Sequence, residues 1–546
     1  MFGGKNRHLH HARLASIMNA LNYLIFILAY FLYFGILALP YFKPAGRKTW
    51  EALIPVYNVY RMTQIIERPW WWVILAFLPV VGNVMMLVIF YEILHVYRKG
   101  SFKNIFIVAL TAGLYFAYLG WGEKLVYQGR DIKEIRKHIS ELAASIIFAV
   151  VAASAIRAFT FEAFTIPTPS MEKSLMVGDF LFVSKMHYGV RVPMTPLSLP
   201  LLHNRIPGTQ VNSYVEWIQL PYLRIPGWEE VKRNDPIVFN YPAEDIRPIN
   251  MKGELRPIDK REHYVKRVIG MPGDTFRIAE GMVYINGEKN TLPPRAHKQM
   301  SYQVLTTGVG LSARQLKEKL NIDYEQAVKF QRRFQQGGQP AILYLMDIPD
   351  EQLAEFQKLP NVSRIEPYFQ PPTLENPVFP NPFHLDSLYF PWSADNYGPL
   401  YIPAKGASIV LNEKNYHTYR RVIEFYEGQQ SFERKGDDYY LNGEKIDRYE
   451  FKQDYYFMLG DNRHSSDDSR YWGFVPHDHI VGKPVFIWMS FDKFGEGLAN
   501  KIRTERVFTT VSGTGKRQSY FWPFVGIALL LYLGNRYRKK RKAAQA

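Results

Sequence analysis

The sequence predicts a mostly β domain with a small α/β insertion, attached to an α-helical transmembrane bundle. Three observations carry that prediction. Apolar runs fill most of the first 160 residues. From residue 161 onward the composition turns to short β-rich stretches punctuated by Gly, Pro and Asp. Between 297 and 375 a stretch with helical periodicity interrupts those strands.

The apolar runs lie at 17–40, 71–97, 104–121 and 140–160, and each can reach the roughly 20 residues a bilayer span needs. No small-residue cleavage site follows the first, so it reads as an anchor and not a removable leader. A fifth, short run at 519–535 precedes the basic cluster Arg536-Tyr537-Arg538-Lys539-Lys540-Arg541-Lys542. Trp70-Trp71-Trp72 and Trp121 sit at run ends, as expected at a bilayer interface. Lys133, Arg136 and Lys137 before the run at 140–160, and the basic cluster after the last run, place both flanks on the cytoplasmic side and residues 161–518 outside. Counting backwards, four full spans put Lys43, Arg47, Lys48, Arg61 and Arg68 inside, but leave Lys5, Arg7, Arg13, Arg98, Lys99 and Lys103 outside. The alternative is a re-entrant element at 71–97, broken at Pro79 and Gly82.

The formal charge of +17 would raise nucleic acid as a partner of a soluble protein, but here the basic residues flank apolar runs, where anionic lipid is the partner. With no cysteine, disulfides, thiolate metal sites and a Cys nucleophile are excluded. The early runs offer chiefly Glu92, His95 and Asn83 as polar groups, too few for a channel or transporter. The expected organisation is a membrane module at 1–125, a cytoplasmic linker and helix at 126–160, and a β domain at 161–296 and 376–510. The α/β insertion occupies 297–375, and a terminal membrane segment with its basic tail occupies 511–546.

Within the β domain, 181–184, 236–241, 275–278 and 282–285 have strand character, and Asn286-Gly287 marks a hairpin turn. Similar material returns at 439–460 and 480–490, with another turn at Asn442-Gly443. In the insertion, 313–320, 324–335 and 351–359 read as helices.

Three segments carry chemistry. Ser170 follows Pro167 and Pro169, which stiffen the backbone before it; alone, this is also an ordinary loop. Lys266 sits in the strand-like run 264–269, where alternation places it on one face with Tyr264 and Val268, and Arg267 on the other with Val265 and Ile269. Burial there would lower the amine pKa as a base requires, whereas an edge-strand lysine would stay solvated. The loop at 459–473 is dense in Asp, Asn and Ser. Asp461, Asn462, Asp467 and Asp468 are hard oxygen donors, but they lack the spacing and terminal Glu of a calcium loop.

In this order, the segments resemble the bacterial type I signal peptidases (leader peptidases), membrane-bound serine endopeptidases with a Ser/Lys dyad. The resemblance covers 140–190, 230–290 and 439–510, including Arg233-Asn234-Asp235-Pro236 and Pro272-Gly273-Asp274. It implies a catalytic domain of coiled antiparallel sheets, Ser170 as acylating nucleophile and Lys266 as its general base. The N–H of Ser170 and the hydroxyl of Thr168 would form the oxyanion hole, and Ser466 would orient the lysine. Asp461, Asp468 and Arg470 would support the site; Phe164, Ile166, Met171, Leu175, Tyr264 and Val265 would form the small-residue pockets. Leu181, Phe182 and Trp217 would belong to an apolar surface dipping into the membrane interface.

The implied partners are signal-peptide-bearing preproteins, membrane lipids and the protein export machinery, with no cofactor, metal or nucleic acid. The implied location is the cytoplasmic (inner) membrane, multi-pass, with the catalytic domain on the periplasmic side. Two departures stand out: Lys173-Ser174 where many relatives have Pro-Thr, and His464-Ser465 where Asp-Asn is frequent. Competing readings are an inactive membrane scaffold, which would tolerate loss of the pair, and the self-cleaving repressors of the DNA-damage response, which are soluble and carry a DNA-binding domain.

Overall fold

The computed structural model describes residues 3–122, 124–131, 141–246, 255–308, 310–381, 390–493, 495, 497 and 501–545. Lys133, Arg136 and Lys137, and the side chains of Lys5, Arg7 and Arg13, lie outside the described residues. The chain divides into two compact units: Met1–Glu162 with Gly189–Pro226 and Lys252–Arg261, and Ala163–Tyr188 with Gly227–Met251 and Glu262–Ala546.

The first unit is helical, around a core that includes Phe31, Tyr41, Phe42, Met86, Phe90 and Phe116. One stretch among the described residues, Leu21–Ala45, is long and apolar enough to cross a membrane; Val81–Val96 and Ser145–Phe159 are shorter apolar helices. The run at 71–97 does not form one rod. It breaks between helices Trp72–Phe77 and Val81–Val96, where Pro79 lacks an N–H and Val80 takes a φ of 69°. A Cβ on Gly82 would lie 2.3 Å from Ala76 O, so the side-chain-free residue lets the two pieces fold closely together. The run at 104–121 likewise splits into Phe102–Leu110 and Leu114–Gly122 at Ala112 (φ 49°) and Gly113 (φ 93°). Periodicity registers apolar content and misses such turns. Inside this apolar unit Glu92 is buried, ion-paired to Arg68 and 3.6 Å from Arg130.

The second unit is mostly β. Its main eight-stranded sheet runs Phe161–Thr165, Asp179–Ser184, Ile480–Ser490, Pro236–Asn240, His263–Gly270, Tyr455–Leu459, Val475–Pro476, with Thr509–Thr510 paired to Ile480–Ser490. Register shifts at 180/181, 182/183, 480/482 and 457/458 are bulges that bend the strands and curl the sheet into a half-barrel. Alternation along Pro236–Asn240 sends Ile237 and Phe239 into one core with Val268, Met458 and Trp472. Val238 goes into another, with Ile166, Met171, Leu175 and Leu181. The strand is therefore buried on both faces, as its continuous apolar run demands.

The two hairpins form as expected: Asn286 and Gly287 have φ of 53° and 89°, Asn442 and Gly443 of 51° and 88°, the left-handed pair of a type I′ turn. The insertion is a four-stranded sheet ordered Val362–Pro367, Gln299–Thr307, Gln339–Pro349, Val328–Gln336, with helices at Ala313–Leu320 and Leu353–Gln357. The helix expected at 324–335 is corrected. Only Tyr324–Ala327 is helical, and Val328–Gln336 is a strand. Phe330 and Phe334 sit at helical spacing, but Gly337-Gly338, both at positive φ, forms a two-residue turn into Gln339–Pro349. Long-range pairing overrides the local period.

Candidate active site

Proline sets the local geometry of the serine segment. Thr168, preceding Pro169, is extended (φ −126°, ψ 152°), and Pro169 opens the 3-10 turn Pro169–Met171. Ile166 is bonded in both directions to the neighbouring strand and turn, its N–H to Asp179 O and its carbonyl to Gly178 N. Ser170 is thus held in a turn and is only 6% exposed. Its carbonyl accepts the N–H of Asn462 at 3.1 Å, tying it to the polar loop.

Lys266 lies on the central strand His263–Gly270, opposite Ile237, and is 4% exposed. Its Nζ is 2.7 Å from Ser170 Oγ and 5.4 Å from the Tyr264 ring centroid, on the face that alternation predicts. Burial pulls its pKa down from 10.5 to about 8, against the opposing charges of Asp468, Asp467 and Asp461. Near neutral pH, an amine with that pKa is partly unprotonated and able to accept a hydroxyl proton.

Two buried ion pairs brace the pair. Asp461 receives Arg267 through Nε at 2.8 Å and Nη2 at 2.6 Å, a fork-on-carboxylate geometry. Asp468 receives Arg470 through Nε at 2.9 Å and Nη2 at 2.8 Å, and accepts Gly460 N at 3.0 Å. Burial raises both carboxyl pKa values, but the guanidinium charges and hydrogen bonds outweigh it and hold them below the ordinary range. These carboxylates, considered above as metal donors, are thus committed to arginines.

Ser466 is buried, with Oγ making no hydrogen bond of ordinary geometry among the described residues, though it lies near enough to Asp468 to favour that carboxylate's charge. A Cβ on Gly460 would lie 2.2 Å from Ser466 Oγ and 2.6 Å from Ser170 O, so this position packs the loop directly against the serine.

A cleft of about 280 Å³ beside the pair is lined by Phe164, Ile166, Thr168, Met171, Tyr264 and Val265 among others. Five of the six expected pocket residues therefore converge on it. Leu175 does not: it is buried in the core with Val183 and Val481. Leu181 lines the cleft from the core side, Phe182 is partly exposed, and Trp217, on the Gly189–Pro226 excursion, is 84% exposed. Sequence reasoning missed His263 and Ser465 on this cleft, and Asp467 as a lining residue. Strand alternation does not reveal His263, because its approach depends on the edge-on contact of its ring with Phe164.

The two departures from the family pattern both meet the insertion. Lys173 donates to Asn321 O, and Ser174 Oγ accepts His297 N at 2.9 Å. His464 Nδ1 accepts Ser301 N at 3.0 Å, so its Nε2 carries the proton and donates to Asp395. Ser465 Oγ donates to Asp347 at 2.6 Å, a buried carboxylate that also takes Ser301 Oγ and Lys329.

Residues 139–352 and 401–489 match the family described as signal peptidase, peptidase S26, and residues 50–130 match a family of unknown function, DUF5684. The signal peptidase I of Haemophilus influenzae is 27% identical over 395 residues, covering 68% of this chain and 76% of that protein. That of Buchnera aphidicola subsp. Acyrthosiphon pisum is 28% identical over 353 residues, covering 64% and 76%. A shorter match, 34% over 134 residues, covers 24% of this chain and 33% of the signal peptidase I of Pseudomonas aeruginosa. With more than half of its length matched, and the matched segments supplying both the serine turn and the lysine strand, the chain belongs to the signal peptidase family, peptidase S26.

Proposed function

We propose that the chain removes N-terminal signal peptides from exported preproteins by a Ser/Lys acyl-enzyme mechanism at the outer face of the cytoplasmic membrane. The observation that carries this reading is the 2.7 Å approach of a buried, pKa-depressed amine to a buried serine hydroxyl. Lys266 takes the Oγ proton as Ser170 attacks the scissile carbonyl carbon. The resulting oxyanion is received by the Ser170 N–H and the Thr168 hydroxyl, each oriented donor contributing on the order of 3 kcal/mol. Lys266 returns its proton to the leaving amine, releasing the mature amino terminus. It then activates water against the Ser170 ester. Asp461, Asp468 and Arg470 keep the loop in place, whereas Ser466, whose Oγ makes no hydrogen bond among the described residues, is given no orienting role.

The apolar walls at Phe164, Ile166, Met171, Tyr264 and Val265 favour small side chains one and three residues before the cut, an Ala-x-Ala-like preference. The apolar helices before residue 160 and the terminal helix Phe521–Gln545 anchor a multi-pass protein, with the β domain on the periplasmic side. There it meets preproteins, lipid and the export machinery.

The test is processing of a preprotein in detergent by the parent, Ser170→Ala and Lys266→Ala. Both variants are expected to lose cleavage while keeping the parent's circular dichroism. Cleavage surviving either substitution excludes the dyad; retained biological activity in both inactive variants would favour the scaffold.

A further inference from the structure

A second cavity, about 490 Å³, lies in the β unit on the Arg267 side of the Lys266 strand, a volume within the usual ~300–1,000 Å³ of ligand sites. Its lining includes Arg233, Arg267, Arg295 and Arg517, against one carboxylate, Asp235. That carboxylate is already engaged by Tyr188 and Lys483. Arg233 is neutralised by Asp274, and Arg267 by Asp461. Arg295 and Arg517 have no carboxylate partner among the described residues. Arg295 spends its donors on the carbonyls of Thr510, Ser512 and Gly515, holding the loop at 510–515. Arg517 donates to Ser174 O, but its Nη1 is buried without a hydrogen-bond partner. Burial, with the neighbouring Arg506, Arg295 and Arg267, pulls the Arg517 pKa down against the opposing charge of Asp179.

The chain leaves this loop directly into the helix Phe521–Gln545, whose Trp522, Leu530 and Leu531 are 67–71% exposed. Uncovered aromatic and apolar side chains there, followed by a basic tail, are chemistry for a bilayer interface. Guanidinium groups pair with phosphate through parallel N–H donors, and they do so most strongly where water is partly excluded. We propose that this cavity binds the phosphate of an anionic phospholipid headgroup, held by Arg517 next to the terminal helix, with Arg295 fixing the loop at 510–515 beside it. The site is independent of the Ser/Lys chemistry, although Ser174 and Arg267 form part of both surroundings.

The test uses the full chain in a neutral maltoside detergent, titrated with dihexanoyl phosphatidylglycerol, dihexanoyl phosphatidylcholine or inorganic phosphate, with binding read from the unfolding midpoint. The expected result is a saturable rise with phosphatidylglycerol only, with apparent affinity at least tenfold weaker in Arg517→Gln. Thr514→Glu places a carboxylate on the cavity lining without removing an arginine, and it should abolish the rise if Arg517→Gln fails to fold. Lys540→Gln, on the terminal tail, should leave it unchanged. Inorganic phosphate binding as tightly as the lipid would assign the cavity to free phosphate and overturn the lipid. An equal response to phosphatidylcholine, or full affinity in Thr514→Glu, would overturn the site.

Discussion

Lys266 and Arg267 are neighbours on one strand, both at 4% exposure, yet they face opposite sides and opposite electrostatics. On one side Arg267 meets Asp461 through two parallel hydrogen bonds and stays a paired charge. On the other, Lys266 meets a neutral hydroxyl, with carboxylates acting on it only through space, and its amine is pushed towards the neutral form. Burial is common to both; the directly bonded partner differs. A buried cation with a carboxylate in contact is structure, and a buried cation without one is a candidate base.

The largest break in this contrast is Lys266→Arg. A guanidinium does not deprotonate in a protein, so the proposed base is lost while the positive charge is kept. Preprotein kcat/KM is expected to fall by at least about 1,000-fold, within the range for loss of a general base. Activity within tenfold of the parent would mean that Lys266 takes no proton. On the opposite face, Asp461→Leu strands Arg267 as an unpaired buried charge and should cost about 3–5 kcal/mol in urea unfolding. Adding Arg267→Met should restore most of that stability; if it restores none, the cost came from packing.

Gly460→Ala tests the packing between the two faces. Its methyl would collide with Ser466 Oγ and Ser170 O, so a loss of about 1–3 kcal/mol is expected, with a lower kcat. The smallest effect belongs to Asp467→Asn. Its carboxylate favours the charged form of Lys266, so removing it lowers the amine pKa. The rising limb of kcat/KM, expected near pH 8 in the parent, should then move to lower pH by roughly a few tenths of a unit for so exposed a charge. A shift to higher pH would contradict the assignment.

Features written in short stretches were legible from sequence. Pro167 and Pro169 announce the rigid serine turn, alternation places Lys266 with Tyr264, and the two Asn-Gly pairs mark real hairpins. What escaped depends on distant partners. The strand Val328–Gln336 takes its form from pairing with Gln339–Pro349, which no local period encodes. Leu175 has the character of a pocket residue, and only the packing of Val183 and Val481 shows it to be core. His464, Ser465, Lys173 and Ser174 stand out in the sequence only as departures from the family pattern. Their bonds to Ser301, Asp347, Asn321 and His297 show them to be the insertion's points of attachment.

The bond from Asn462 to the Ser170 carbonyl, together with the Lys266 contact, joins three stretches that lie far apart along the chain, the serine and the lysine alone being 96 positions apart. Before they assemble, the lysine is an ordinary hydrated ammonium with a pKa near 10.4, and the hydroxyl is as inert as any other. Under the proposed chemistry, a half-synthesised copy emerging beside its own hydrophobic helices carries no cutting power. Under that chemistry, completion of the fold is itself the activation step.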